Sequence, residues 1–288
     1  MIKEPSFTES FSALAGRYDA VLSDVWGVLH NGVAATASAC DALIRFRGQG
    51  GTVMLLTNAP RPGEVVLRFL DKVGVPRTAY DGIVSSGDVT RAVMAERAQK
   101  AVFHIGPERD LPIFDGLGLQ FVPMEKADYV VCTGLRDDET ETAETYRAEL
   151  GELHRRGMFM LCGNPDLVVE RGDRLIYCAG AIADLYKSLG GDVLYAGKPY
   201  RPIYDLALQR VGKLRGGTPP IERVLAIGDS IRTDLKGATD ARLDCLFVTG
   251  GIHAEELGER HDPDLSALNK IFAEAGVAPM SVTSRLAW

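Results

Sequence analysis

The sequence predicts an α/β protein in which a parallel-sheet core is interrupted by a second α/β segment. Short β-rich apolar runs alternate with longer helical patterns along almost the whole chain, as parallel strands covered by helices do. Polar residues suited to chemistry close the runs at Asp24, Thr57, Lys198 and Asp229. The long stretch between the second and third of these has its own alternation and no such ending.

Strands are expected near 20–23, 52–56, 102–105, 129–132, 158–162, 193–195, 224–227 and 245–248. Helical patterns lie over 36–47, 63–72, 88–98, 139–156, 180–189 and 202–214. In the fourth helix the run DDETETAETYRAEL puts acids in the first turn, where the macrodipole favours them. Residues 1–88 and 190–288 are expected to form the core and 89–189 the insert. The junctions Ser85-Ser86-Gly87 and Gly190-Gly191 are rich in small residues, as hinges often are.

The 288 residues are 46% hydrophobic and 25% charged, enough for a large core. A net charge of −7 without a basic block argues against general nucleic-acid binding. No run approaches a membrane span and the N-terminus lacks the apolar core of a signal peptide. Five scattered cysteines without a CxxC suggest reduced, buried thiols, and a cytoplasmic protein is expected.

The most informative stretch is IERVLAIGDSIRTDLKGA, residues 221–238. Its apolar run breaks at Gly228 and delivers Asp229, and Asp234 follows at the start of a helix. Two carboxylates placed in this way converge above the sheet edge and repel unless a cation lies between them. Hard oxygen ligands of this kind suit Mg²⁺. Asp24 in LSDVWGVLHNG follows another apolar run, and Gly27 permits a sharp departure from the strand. Thr57 and Asn58 end VMLLTN, and Lys198 sits in AGKPY between a glycine and a proline. All fall at the carboxyl edge, where open α/β sheets place their ligands. A carboxylate beside Mg²⁺ can attack phosphorus, with Lys198 steadying the developing charge. Singly, each residue has an ordinary reading as a turn, cap or surface group. Their joint order lifts them.

That order resembles the four motifs of the haloacid-dehalogenase-like (HAD) hydrolases: Asp24 in DVWGV, Thr57 in LLTN, Lys198 in GKP, and Asp229 with Asp234 in GDSIRTD. The likeness is greatest to the class IIA branch, which includes p-nitrophenyl, sugar and nucleotide phosphatases. Their Rossmann-like core carries a large α/β cap between the second and third motifs. The resemblance implies that Asp24 is the nucleophile and forms an aspartyl-phosphate. Thr57 and the Asn58 backbone N–H would bind the phosphoryl oxygens, and Lys198 would bridge them to Asp24. Asp24, the Trp26 backbone carbonyl and Asp229 would ligate Mg²⁺, with Asp234 acting through water. The implied partner is a small phosphorylated metabolite, and the implied assembly a homodimer through the cap.

Trp26 departs from the pattern. Phosphatases of this kind carry DxD in the first motif, and the second Asp is the general acid and base. An indole has no proton that titrates near neutrality, and loss of such a group typically lowers rate by about 10²–10⁴. The alternative to weak hydrolysis is a catalytically impaired protein that binds a phosphorylated metabolite. His30 is the nearest substitute acid by sequence; its ordinary reading is a loop histidine bonded to backbone. Ala59 stands where relatives often have a polar residue. Asn164 and Asp166 in GNPD are expected to shape a turn, and Arg171 to lie at the surface.

Other classes fit poorly. GDS at 228–230 lacks the late DxxH of GDS esterases. The GGDVLYAGK run places Asp192 and Pro199 where a phosphate loop needs Gly and Ser/Thr. Dehalogenation needs no metal pair, and no GxGxxG follows a strand.

Overall fold

The computed structural model describes residues 6–171, 174–250 and 265–288. In chain order the strands are β1 (Ser6–Phe7), β2 (Ala20–Asp24), β3 (Thr52–Thr57), β4 (Gly82–Ser85), β5 (Ala101–Ile105), β6 (Gln120–Phe121) and β7 (Tyr129–Cys132). They continue with β8 (Phe159–Cys162), β9 (Val168–Arg171), β10 (Arg174–Tyr177), β11 (Asp192–Tyr195), β12 (Val224–Gly228), β13 (Asp244–Val248) and β14 (Ser281–Thr283). The helices are α1 (Ser12–Ala15), α2 (Ala37–Gly48), α3 (Gly63–Val73), α4 (Ser86–Ala95), α5 (Arg147–Arg155), α6 (Ala179–Ser188), α7 (Arg201–Arg215), α8 (Lys236–Ala241) and α9 (Leu265–Ala275). No helix among the described residues is long and apolar enough to cross a membrane.

The chain divides into two units. One comprises Met1–Thr57, Glu64–Val84 and Tyr204–Trp288; the other comprises Asn58–Gly63 and Ser85–Ile203. The first is built on a sheet of order β1-β14-β13-β12-β2-β3-β4. Pairings from β1 through β3 are parallel, and β2 and β12 are buried along their whole length. Burial on both faces explains why these strands read as continuous apolar runs. Pairing of Ala226 with Leu22 and of Leu22 with Met54 sets β12, β2 and β3 side by side, so their carboxyl ends emerge together.

The second unit is an inserted cap with a sheet of order β11-β8-β7-β5-β6, all parallel, and an antiparallel β9–β10 hairpin. Its core packs Tyr146, Leu150 and Leu153 with Ile182 and Tyr186 against Val130, Met160 and Cys162. β11, placed by the sequence reading in the returning core, pairs with β8 here.

The acidic run departs from the expected helix over 139–156. Asp137 accepts from the Glu139 N–H and the Thr140 hydroxyl, and Glu141 accepts from Asp137 N–H and the Tyr146 hydroxyl. These local bonds give the backbone an alternative to the helix, which begins only at Arg147 after a 3₁₀ turn. All five cysteines are reduced and buried.

Candidate active site

β2 ends at Asp24, and β12 ends at Gly228, one residue before Asp229. After Ser230 the chain makes a single π turn, Ile231–Leu235, that carries Asp234 into α8. Such turns recur at functional sites because they re-aim a side chain without ending the helix. The Asp234 and Leu235 N–H groups both donate to the Ser230 carbonyl. The Ser230 N–H donates to Asp234 Oδ2 at 3.2 Å and so orients that carboxylate.

Carboxylate oxygens of Asp24, Asp229 and Asp234 lie within 4.8 Å of one another, and all three residues are buried. Three such anions repel strongly in a low-dielectric setting. Two glycines make their approach possible. A Cβ on Gly27 would overlap the Asp229 carboxylate, and one on Gly228 would overlap that of Asp234. Gly27 also has φ +83°, a conformation in which glycine alone escapes strain. The hard oxygen donors, their burial and the space cleared for them fit a small divalent cation, Mg²⁺ by its chemistry. Thr57 ends β3, one residue beyond Leu56, the register partner of Asp24.

The indole of Trp26 is 47% exposed. It lies over Gly32, where a Cβ would collide with it, and meets the His30 ring edge-on at 5.1 Å. His30 is buried between Trp26 and Phe69, and its Nδ1 accepts from the Gly32 N–H at 2.9 Å. Burial pushes its pKa down, which favours a neutral ring. These contacts match the loop-histidine reading and not the substitute-acid one.

Asn58 and Lys198 come together in the second unit, both buried. Asn58 Oδ1 accepts from the Lys198 N–H at 2.7 Å, and Asn58 Nδ2 donates to the Lys198 carbonyl at 3.0 Å. The same Nδ2 donates to Asp166 Oδ1 at 2.8 Å. The GNPD turn is thus tied to a motif residue, which its sequence signature did not disclose. Gly197 leaves room for Asn58, because a Cβ there would strike Asn58 Oδ1. The side chain of Arg171 lies outside the described residues.

The sequence profile of the haloacid dehalogenase-like hydrolases matches residues 21–120, and a HAD-hydrolase-like profile matches residues 195–271. A crystal structure of a haloacid dehalogenase-like hydrolase from Brucella suis is 47% identical. It covers 98% of this chain and 100% of that one, with a TM-score of 0.84. A 4-nitrophenylphosphatase from Thermotoga maritima shares the fold at 22% identity, with a TM-score of 0.70 over 94% of this chain and 96% of that one. By sequence, the chain is 24% identical to a Bacillus subtilis 5′-nucleotidase, over 83% of this chain and 90% of the relative. It is 28% identical to a D-glycerol 3-phosphate phosphatase of Mycobacterium tuberculosis, over 84% of this chain and 66% of the relative.

Proposed function

We propose, because this chain belongs to the haloacid dehalogenase-like hydrolase family, that it hydrolyses small phosphomonoesters with the help of Mg²⁺. The observation that carries the reading is the buried cluster of Asp24, Asp229 and Asp234. The names of its relatives, a nucleotidase and a glycerol 3-phosphate phosphatase, favour a phosphorylated sugar, polyol or nucleotide as substrate.

In this proposal an Asp24 oxygen attacks phosphorus, the ester P–O bond breaks, and an aspartyl-phosphate forms; water then returns Asp24 and releases phosphate. Thr57 and the Asn58 backbone N–H hold the phosphoryl oxygens, and the Lys198 ammonium offsets their charge. Asp24, the Trp26 carbonyl and Asp229 would hold Mg²⁺, with Asp234 acting through water. When bound, the ion offsets the repulsion between carboxylate and phosphoryl anions. Trp26 gives the leaving oxygen no proton, so aryl phosphates, whose leaving groups are weak bases, should turn over better than alkyl ones. A cytoplasmic location and pairing through the cap belong to the same proposal.

Turnover of a phosphate-ester panel with Mg²⁺, repeated with EDTA and with Asp24→Asn, tests the reading. Metal-dependent hydrolysis lost in Asp24→Asn is the expected result. Trp26 favours one second reading, a phosphate-metabolite binder without catalysis. Wild-type turnover no higher than that of the Asn variant, with phosphate or beryllofluoride still bound, would establish it instead.

A further inference from the structure

We propose that Asp166 is a positioning residue: it fixes the Asn58 amide, and Asn58 in turn fixes the backbone of Lys198. The inference deepens the phosphatase reading and rests on the role given there to Lys198. A carboxylate only accepts hydrogen bonds, so Asp166 Oδ1 selects the NH₂ end of Asn58. Asn58 Oδ1 then faces the Lys198 N–H, and the second hydrogen of Nδ2 faces the Lys198 carbonyl. The opposite amide orientation would set oxygen against the Asp166 carboxylate and NH₂ against the Lys198 N–H. One orientation satisfies all three contacts.

Asp166 is itself braced. Its N–H donates to Asn164 Oδ1 at 3.1 Å, and its carbonyl accepts from the Gly180 N–H at 3.2 Å. A Cβ on Gly180 would strike the Pro165 and Asp166 carbonyls, so α6 can start hard against this turn. Asn58 is 6% exposed and Lys198 4% exposed, so water has little access to replace a broken link. The GNPD turn therefore holds the main chain from which the Lys198 side chain and the Asn58 N–H both project. A small misplacement of such groups lowers rate far more than it lowers stability.

Two measurements on full-length protein test this. The first is NMR hydrogen exchange at the Lys198 amide, which needs no turnover. Asp166→Ala should exchange about 10- to 100-fold faster there, whereas Asp166→Asn keeps a carbonyl acceptor and should stay near wild type. The second is p-nitrophenyl phosphate hydrolysis with Mg²⁺. Asp166→Ala should lower kcat/KM by about 10- to 100-fold, chiefly in kcat, and Asp166→Asn should recover most of it. In a Lys198→Met background Asp166→Ala should cause only the smaller loss that comes through the Asn58 N–H. Unchanged Lys198 exchange in Asp166→Ala, or a full additive loss in the Lys198→Met background, overturns the proposal. Should Asp166→Ala not fold, Asp166→Ser, too short to reach Asn58, carries the same expectations. Absence of wild-type turnover defeats the phosphatase reading alone, since exchange still decides whether Asp166 places Lys198.

Discussion

At the scale of single residues, the acid cluster depends on side chains that are missing. Gly27 was legible as the residue that lets the chain leave β2 sharply. Its second role, yielding space to Asp229 two hundred residues later, was not, because no local pattern records a distant neighbour. The two demands separate by mutation. Gly27→Ala meets both an unfavourable φ and the Asp229 carboxylate, whereas Gly50→Ala meets an unfavourable φ of +88° in open space. Gly50→Ala should cost about 1–3 kcal/mol and keep its response to Mg²⁺. Gly27→Ala should cost more in urea denaturation and lose that response. Trp26 supplies the complementary prediction. Its indole is half-exposed, so Trp26→Asp sacrifices little packing. It should raise kcat on alkyl phosphates by about 10²–10⁴, and less on p-nitrophenyl phosphate, whose leaving group needs no proton. Equal gains on both would show that proton transfer is not what limits the natural protein.

At the scale of elements, the cap's first helix is held at its start. Ser85 Oγ accepts from the Asp88 N–H, Asp88 answers the Ser85 N–H, and Ser85 Oγ donates to the Arg61 carbonyl at 2.6 Å. The Ser85-Ser86-Gly87 junction thus carries a capping box. Ser85→Ala should destabilise the protein by about 1 kcal/mol, measured by chemical denaturation. β5 carries a pH-sensitive group of its own. His104 Nε2 lies 2.9 Å from Thr133 Oγ1 and its ring meets Phe114 edge-on. Burial, helped by the charge of Arg136, pushes its pKa down to about 4. The unfolded chain then binds a proton near its ordinary pKa of about 6.5 that the folded chain refuses. Its contribution is intact above that pH and is lost as pH falls toward 4. His104→Gln should flatten this part of the Tm–pH curve; an unchanged slope would place the acid sensitivity elsewhere.

At the scale of the whole molecule, metal and folding should be coupled. Three buried carboxylates within 4.8 Å burden the metal-free fold, so Mg²⁺ binding should stabilise it by about 2.7 kcal/mol at a hundredfold excess over Kd. EDTA should lower Tm correspondingly. Asp229→Asn should lose the metal response with a metal-free Tm no lower than wild type, because one buried charge is gone. Insensitivity of wild-type Tm to Mg²⁺ would count against a metal at the cluster.

Much of this was determined by the sequence alone. Buried parallel strands are written as apolar runs, and the residue closing each run falls at the carboxyl edge; Asp24, Thr57 and Asp229 could therefore be ordered before any coordinates. Tertiary structure alone decided the rest. The edge strand β1 and its neighbour β14 pair across more than 270 residues, yet each is too short to show a period. In β9 the consecutive residues Val168 and Val169 are both exposed, so that strand lacks the inside–outside alternation that marks a half-buried one. The Asn58–Asp166 bond joins residues 108 apart in the chain. Periodicity records what a residue does with its near neighbours along the chain; which distant groups meet is set only when the sheets and turns have packed.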